Sequence, residues 1–208
     1  EWGYLYVRYA DDLLIFTKSK RAAERQYERA SKYIEGKLKL KINKEKTKIS
    51  KLSQTKYLGY TFYRHGGKCR FRVHPKSINR LKNKLRLVTG RSNGMSIEGR
   101  KTKLNQIIRG WIQYFKLADM KSIMQEIDEW LRRRIRMITW KRWKKVKTKF
   151  ENLQKLGVAK GKAWEWANTR KSYWHTASSW ILTTTLTNAR FEKQGYLSFY
   201  KYYLEVRV

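Results

Sequence analysis

Tyr4-Leu5-Tyr6-Val7-Arg8-Tyr9-Ala10-Asp11-Asp12-Leu13-Leu14-Ile15-Phe16 sets two short runs of aromatic and branched residues, Tyr4 to Arg8 and Leu13 to Phe16, on either side of Ala10-Asp11-Asp12. Branched and aromatic side chains pack well on a pleated surface, whereas Asp favours turns because its carboxylate bonds nearby backbone. The segment therefore predicts a β-hairpin with acidic residues at its turn. A turn of that kind is a place where side chains can converge on a ligand.

Downstream, Ala23, Tyr27, Ala30, Tyr33 and Ile34 recur at helical spacing from Ala22 onward, and Gly36 is placed to stop that helix. Leu38, Leu40 and Ile42 then alternate with Lys37, Lys39 and Lys41, which predicts a half-buried strand with a cationic outer face. Lys56 to Tyr63 and Arg70 to Val73 bracket Gly66-Gly67, a second predicted hairpin.

Pro75 is the only proline, and there the apolar period changes from two to 3.6. Ile78, Leu81, Leu85 and Val88 form one stripe. After the Gly-rich stretch Gly90 to Gly99 a second stripe runs Leu104, Ile107, Ile108, Trp111, Ile112, Phe115, and a third runs Ile123, Ile127, Trp130, Leu131, Ile135, Ile138. Three amphipathic helices with short connections predict a small bundle in which each buries its stripe against the others. Beyond Phe150 the pattern loosens: Trp164, Trp166, Trp174 and Trp180 sit among Thr, Ser and Asn, which predicts short helices in a third subdomain. The expected class is α+β, divided at residues 1–74, 75–149 and 150–208.

The 208 residues carry 50 Lys and Arg against 16 Asp and Glu, a net charge of +34. Self-repulsion of that size opposes compaction unless a polyanion is present, which points to nucleic acid as the partner. Hydrophobic residues at 41%, aromatics at 14% and nine Trp exclude a disordered basic tail. The charge is +12 over residues 1–74, +17 over 75–149 and +5 over 150–208, so the helical middle carries the strongest field. Cys69 and the scattered His65, His74 and His175 provide neither a tetrahedral zinc set nor an internal disulfide, so a reducing, cytoplasmic setting is expected. No run of about 18 apolar residues and no signal-peptide pattern occurs, so no membrane partner is expected. Opening at Glu1 without Met and running straight into strand-like residues, the chain reads as a piece of something longer.

Tyr9-Ala10-Asp11-Asp12 between two hydrophobic strands resembles the Tyr-Ala-Asp-Asp hairpin of reverse transcriptases. The resemblance implies that Asp11 and Asp12 are catalytic ligands of Mg²⁺, since nucleotidyl transfer needs a hard cation held by carboxylates to neutralise phosphates and activate a 3′-hydroxyl. Leu40-Lys41-Ile42-Asn43-Lys44-Glu45-Lys46-Thr47-Lys48 resembles the motif after the family's palm helix, which implies a role for Lys46 or Lys48 beside the leaving pyrophosphate; a solvated strand end is the plain alternative. Tyr57-Leu58-Gly59-Tyr60 resembles the primer grip, where Gly lets backbone approach a primer strand, against the alternative of a packed edge hairpin.

Leu104-Asn105-Gln106-Ile107-Ile108-Arg109-Gly110-Trp111-Ile112-Gln113-Tyr114-Phe115 is similar to the maturase-specific domain of group II intron-encoded proteins. It implies that 75–149 is the thumb, or domain X, following a palm remnant of hairpins and a helix. Trp111, Ile112 and Phe115 complete the apolar stripe, while Arg109, Gln113 and Lys116 share the other face in a row able to follow a phosphate backbone. The third helix then carries Arg132, Arg133, Arg134 and Arg136, followed by Lys141, Arg142, Lys144, Lys145, Lys147 and Lys149, with almost no acid to answer them. That excess argues for an RNA-binding role. Trp140 and Trp143 suit either base stacking or packing.

Taken together, the resemblance implies a reverse transcriptase and intron-splicing maturase, with intron RNA, an RNA template with DNA primer, target DNA and dNTPs as partners. The last 60 residues look like the family's DNA-binding region. In the family, the fingers, the early palm motifs and a third metal-binding Asp precede such a hairpin. The resemblance thus implies a fragment that binds nucleic acid but does not polymerise alone, and no endonuclease Cys pairs follow before Val208. A related reverse transcriptase of CRISPR adaptation or phage defence, and a non-catalytic RNA-binding splicing factor, are the rival readings; the intact Asp pair argues against the second.

Overall fold

Strand alternation around Ala10-Asp11 folds into a hairpin of β1 (Tyr6–Tyr9) and β2 (Asp12–Ile15), paired antiparallel from Tyr6 opposite Ile15 to Tyr9 opposite Asp12. These assignments come from a computed structural model that describes residues 5–207. Tyr4, expected in the first strand, lies outside the described residues, as do Glu1 and Val208. The chain is mixed α+β and separates into two compact units, Glu1–His74 and Pro75–Val208.

In the first unit, Ser19 caps α1 (Lys20–Lys32) by accepting the Ala22 N–H on its Oγ at 3.2 Å. Gly36 does not stop this helix. The backbone widens into a π-helical turn over Tyr33–Lys37, with the Leu38 N–H bonded to the Tyr33 carbonyl at 3.1 Å and the Leu40 N–H to that of Ile34 at 3.0 Å. The strand expected at Leu38 to Ile42 is not formed, and Leu38 and Leu40 are exposed. Alternation makes a strand only where a neighbouring edge accepts its ladder; among the described residues the two sheets are separate two-stranded hairpins, and neither pairs with this segment.

The second hairpin joins β3 (Tyr60–His65) to β4 (Lys68–Val73) through Gly66 and Gly67, whose φ values of 56° and 74° are those a two-residue loop matched to strand twist requires. The Phe62 and Phe71 rings meet edge-on at 5.5 Å across it. β3 begins at Tyr60 rather than Lys56, because Tyr57 to Tyr60 close a tight turn of their own.

The second unit opens on α2 (Pro75–Val88), where proline at the first helical position loses no hydrogen bond. Leu81, Leu85 and Val88 are buried along it, Leu104, Ile108, Ile112 and Phe115 along α3 (Ile97–Phe115), and Ile127, Leu131, Ile135 and Ile138 along α4 (Lys121–Arg142). The expected stripes are thus the buried faces, with Ile78, Ile107, Trp111, Ile123 and Trp130 half-buried at their margins, and Trp140, 1% exposed, is the bulky core residue of α4. The Trp140 ring lies 5.7 Å from that of Trp143, with the Lys149 ammonium 4.7 Å from its centroid, so this indole is packing.

Gly90 to Ser96 is an ordered loop built on Arg100. Its guanidinium, 7% exposed, donates to the carbonyls of Val88 (3.2 Å), Gly90 (2.8 Å) and Met95 (3.1 Å) and to the Asn93 side chain. It therefore satisfies carbonyls left open at the end of α2.

Short helices follow: α5 (Val146–Lys155) with α6 (Lys160–Ala167), then α7 (Tyr173–Thr176) against α4, α8 (Trp180–Thr185), α9 (Asn188–Lys193) and α10 (Phe199–Val206). α10 packs on both α3 and α4. Asp128 of α4, 3% exposed, accepts the backbone N–H groups of Phe199 (2.8 Å) and Tyr200 (2.9 Å) and the Ser198 hydroxyl (2.5 Å). Asn105 of α3 grips the preceding turn from both sides, donating to the Gly195 carbonyl at 2.7 Å and accepting the Leu197 N–H at 3.0 Å. The Tyr203 hydroxyl donates to the Ala118 carbonyl at 2.8 Å.

Asp128→Ala should lower the unfolding free energy by at least about 1.5–3 kcal/mol, since it strips charge-assisted bonds from buried donors. Denaturant titration checks this, and loss of near-ultraviolet signal from the C-terminal aromatics should accompany it.

Candidate functional site

Asp11 is the second of the two residues that turn the first hairpin, and Asp12 is the first of β2, opposite Tyr9. Both are exposed. The turn closes in two residues because Ala10 adopts φ 49°, a left-handed conformation that costs a non-glycine residue about 1–2 kcal/mol. Arg8 helps hold it, donating its Nε–H to the Ala10 carbonyl at 3.0 Å. The tip therefore presents two neighbouring hard oxygen donors to water. That donor chemistry fits Mg²⁺, which is commonly held by one or two carboxylates and keeps several waters. Among the described residues no group of three or more His, Cys, Asp or Glu gathers anywhere, so the pair is a partial ligand set.

Lys46 and Lys48 are both exposed, just after a turn in which Asn43 accepts the Lys46 N–H on its Oδ1 at 3.1 Å. Tyr57-Leu58-Gly59-Tyr60 is a reciprocal turn: the Tyr57 N–H donates to the Tyr60 carbonyl at 3.0 Å and the Tyr60 N–H to that of Tyr57 at 2.9 Å. Leu58 at φ 50° and Gly59 at φ 82° make it possible, and the Gly59 carbonyl accepts the His74 N–H at 2.9 Å. The Tyr57 hydroxyl is buried without a hydrogen-bond partner.

The basic candidates of the second unit divide by what they touch. On α3, Arg109 is exposed, Gln113 donates to the Tyr202 hydroxyl at 3.1 Å, and Lys116 is half-buried at the helix end. On α4 the arginine run turns largely to backbone carbonyls. Arg133 donates to the Trp174 carbonyl (3.2 Å from Nη2) and stacks 3.9 Å from that residue's ring centroid. Arg134 donates to the Thr89 hydroxyl at 2.6 Å and carbonyl at 3.3 Å, and Arg136 to the Leu186 carbonyl at 2.9 Å. Arg132 lies 3.9 Å from Asp128. Burial, and secondarily neighbouring arginines, push the Arg134 and Arg136 guanidinium pKa values below the usual arginine value.

Lys141 donates to the Arg91 carbonyl at 3.1 Å. Arg142, Lys144 and Lys145 are exposed where α4 gives way to α5. Arg100 was absent from the sequence candidates; no motif marks it, because its partners are loop carbonyls 5 to 12 residues upstream.

Residues 1–62 match the family model described as reverse transcriptase (RNA-dependent DNA polymerase). Residues 78–157 match that of the group II intron, maturase-specific domain. The first match takes in Asp11, Asp12, Lys46, Lys48 and the Tyr57 to Tyr60 turn, and the second takes in every basic candidate from Arg109 to Lys145. A search of curated proteins returned no match. An acidic hairpin inside the reverse transcriptase match, followed by a basic helical domain inside the maturase-domain match, supports the reverse transcriptase family. Together the two matches support a segment of a group II intron reverse transcriptase and maturase.

Arg136→Ala should destabilise the second unit by about 1.5–3 kcal/mol, the worth of a hydrogen bond from a charged donor. Denaturant unfolding measures it. Arg142→Ala, on an exposed side chain, should stay within about 0.5 kcal/mol.

Proposed function

We propose that this chain supplies the acidic hairpin and the RNA-gripping helical domain of a group II intron reverse transcriptase and maturase. The single observation that carries the reading is the adjacent Asp11-Asp12 pair at an exposed hairpin tip, inside the reverse transcriptase match and upstream of the maturase-domain match. In this reading 1–74 is the end of the palm, 75–149 the thumb or domain X, and 150–208 a DNA-binding region within the same compact unit as the thumb.

Asp11 and Asp12 would hold Mg²⁺, which when bound neutralises phosphate charge and activates a primer 3′-hydroxyl. Lys46 or Lys48 offers a cation to the departing pyrophosphate of a dNTP. The Tyr57 to Tyr60 turn, where Gly59 carries no side chain, backs the primer strand of an RNA template with DNA primer. Arg109, Arg142, Lys144 and Lys145 provide phosphate contacts to intron RNA, with target DNA reached through the C-terminal helices. As a maturase the protein holds the folded intron while the RNA carries out splicing.

Asp11→Asn, made in the protein that carries this chain, should abolish Mg²⁺-dependent primer extension and leave filter binding of structured RNA unchanged. Extension at the unsubstituted rate overturns the assignment of Asp11.

A further inference from the structure

We propose that Arg8 is a positioning residue for the acidic tip: its bond to the Ala10 carbonyl fixes the peptide that carries Asp11, and so sets how tightly the Asp11-Asp12 pair takes a divalent cation. The proposal rests on the reverse transcriptase reading for what the pair does. It deepens that reading by adding a residue that acts through the turn and touches neither cation nor substrate.

The loop between β1 and β2 is a glycine position filled by alanine. Tyr9 pairs with Asp12, so Ala10 and Asp11 alone make the turn, and of the two only Ala10 has a positive φ, 49°. A two-residue hairpin loop with that pattern is of the II′ kind, which ordinarily takes Gly at its first position because a Cβ is strained there. The second hairpin meets its own requirement with Gly66 and Gly67. At the acidic tip the strained residue immediately precedes Asp11, and such strain persists only where other parts of the structure hold it.

Pairing of the strands does not settle the matter. Types I′ and II′ share the same ends and differ in the orientation of the peptide between the two central residues, here the one that joins Ala10 to Asp11. In the I′ form Asp11 would itself take a positive φ, and its carboxylate would project differently beside that of Asp12. Packing supplies little restraint either: among the described residues β1 and β2 pair only with each other, and Tyr6, Val7, Tyr9 and Leu13 are exposed.

Arg8 acts on the group that distinguishes the two forms. Its Nε–H donates at 3.0 Å to the Ala10 carbonyl, which belongs to that central peptide. A hydrogen bond from a charged donor is comparable in worth to the cost of one positive-φ alanine, so the two offset each other. A cation this close to two carboxylates would most simply pair with them. Among the described residues no ion pair joins Arg8 to Asp11 or Asp12, and both stay available to a metal ion.

The test is a double-mutant cycle of R8A and A10G in the protein that carries this chain. Two midpoints are read: the Mg²⁺ concentration for half-maximal primer extension and, without template, primer or nucleotide, the binding of Mn²⁺ followed by electron paramagnetic resonance. R8A should raise both by roughly 5- to 30-fold, the population factor that a positive-φ alanine corresponds to. Extension at saturating Mg²⁺ should return to the unsubstituted rate. Glycine takes a positive φ without strain, so in the A10G background R8A should shift the midpoints by less than about twofold. Unaltered midpoints in R8A, a lowered maximum in place of a shifted midpoint, or an equal shift in the A10G background overturns the proposal; the last would make Arg8 a charge acting on the substrate. Asp11→Asn separates this from the parent reading. If it keeps full extension and Mn²⁺ binding, the parent reading falls and the proposal with it, whereas if it abolishes both while R8A changes neither, the proposal alone falls.

Discussion

Asp128 places a charge inside the second unit, and the arrangement around it dictates where the C-terminal helix can sit. Burying a lone carboxylate is prohibitive, so its oxygens must find donors. They find them at the N-terminus of α10, where the Phe199 and Tyr200 N–H groups would otherwise be unsatisfied and where the helix dipole favours negative charge. Two potential costs cancel each other, one carried by α4 and the other by a segment 70 residues downstream. With that end fixed, Phe199 and Tyr203 are driven into the space between α3 and α4, and both are fully buried. The Asn105 grip on Gly195 and Leu197, and the Tyr203 bond to Ala118, fix the same helix at its approach and along its length.

The arginines of α4 answer the same accounting with the signs reversed. Thr89 ends α2 and Leu186 ends α8, and the carbonyl of each has no partner within its own helix; Arg134 and Arg136 supply donors. In a chain with so few acids, backbone carbonyls become the acceptors on which guanidinium groups settle. This separates the cations into two populations. Arg100, Arg133, Arg134 and Arg136 knit helices together, and Arg109, Arg142, Lys144 and Lys145 remain on the surface. A run such as Arg132 to Arg136 therefore has no single role, because successive residues on a helix point in directions about 100° apart.

What could be read along the chain and what could not follows from the range of the interactions. Both hairpins and the stripes of α2, α3 and α4 were legible, because a period of two or 3.6 is written within a dozen residues. The placement of Asp11 and Asp12 at a hairpin turn was legible for the same reason, since their own strands flank them. The Leu38 to Ile42 strand was misread because alternation states a preference for pairing and says nothing of whether an edge is there to pair with. Asp128 was passed over since an acid inside a basic helix looks solvated, and its partners lie far away. Trp130, placed inside by the stripe, is half-buried with the Arg86 and Arg134 guanidinium groups near its ring, and the fully buried indole of α4 is Trp140.

These differences in range bear on how each candidate site is held. The acidic tip depends on a turn, a left-handed Ala10 and one bond from Arg8, all within five residues, while among the described residues the buried apolar side chains of its unit are Ala22, Phe62 and Val73. Its geometry is thus locally encoded and owes little to the packing of the rest of the unit. The joint between the α2–α3 loop and α4 is the opposite case. Thr89, Arg91, Arg134 and Lys141 come together only through helix packing and carbonyl bonds that span 45 residues or more of sequence. Loosening the second unit therefore disperses its charge pattern before it removes any charge, whereas loosening the first leaves the two carboxylates adjacent, because they are neighbours in the chain itself.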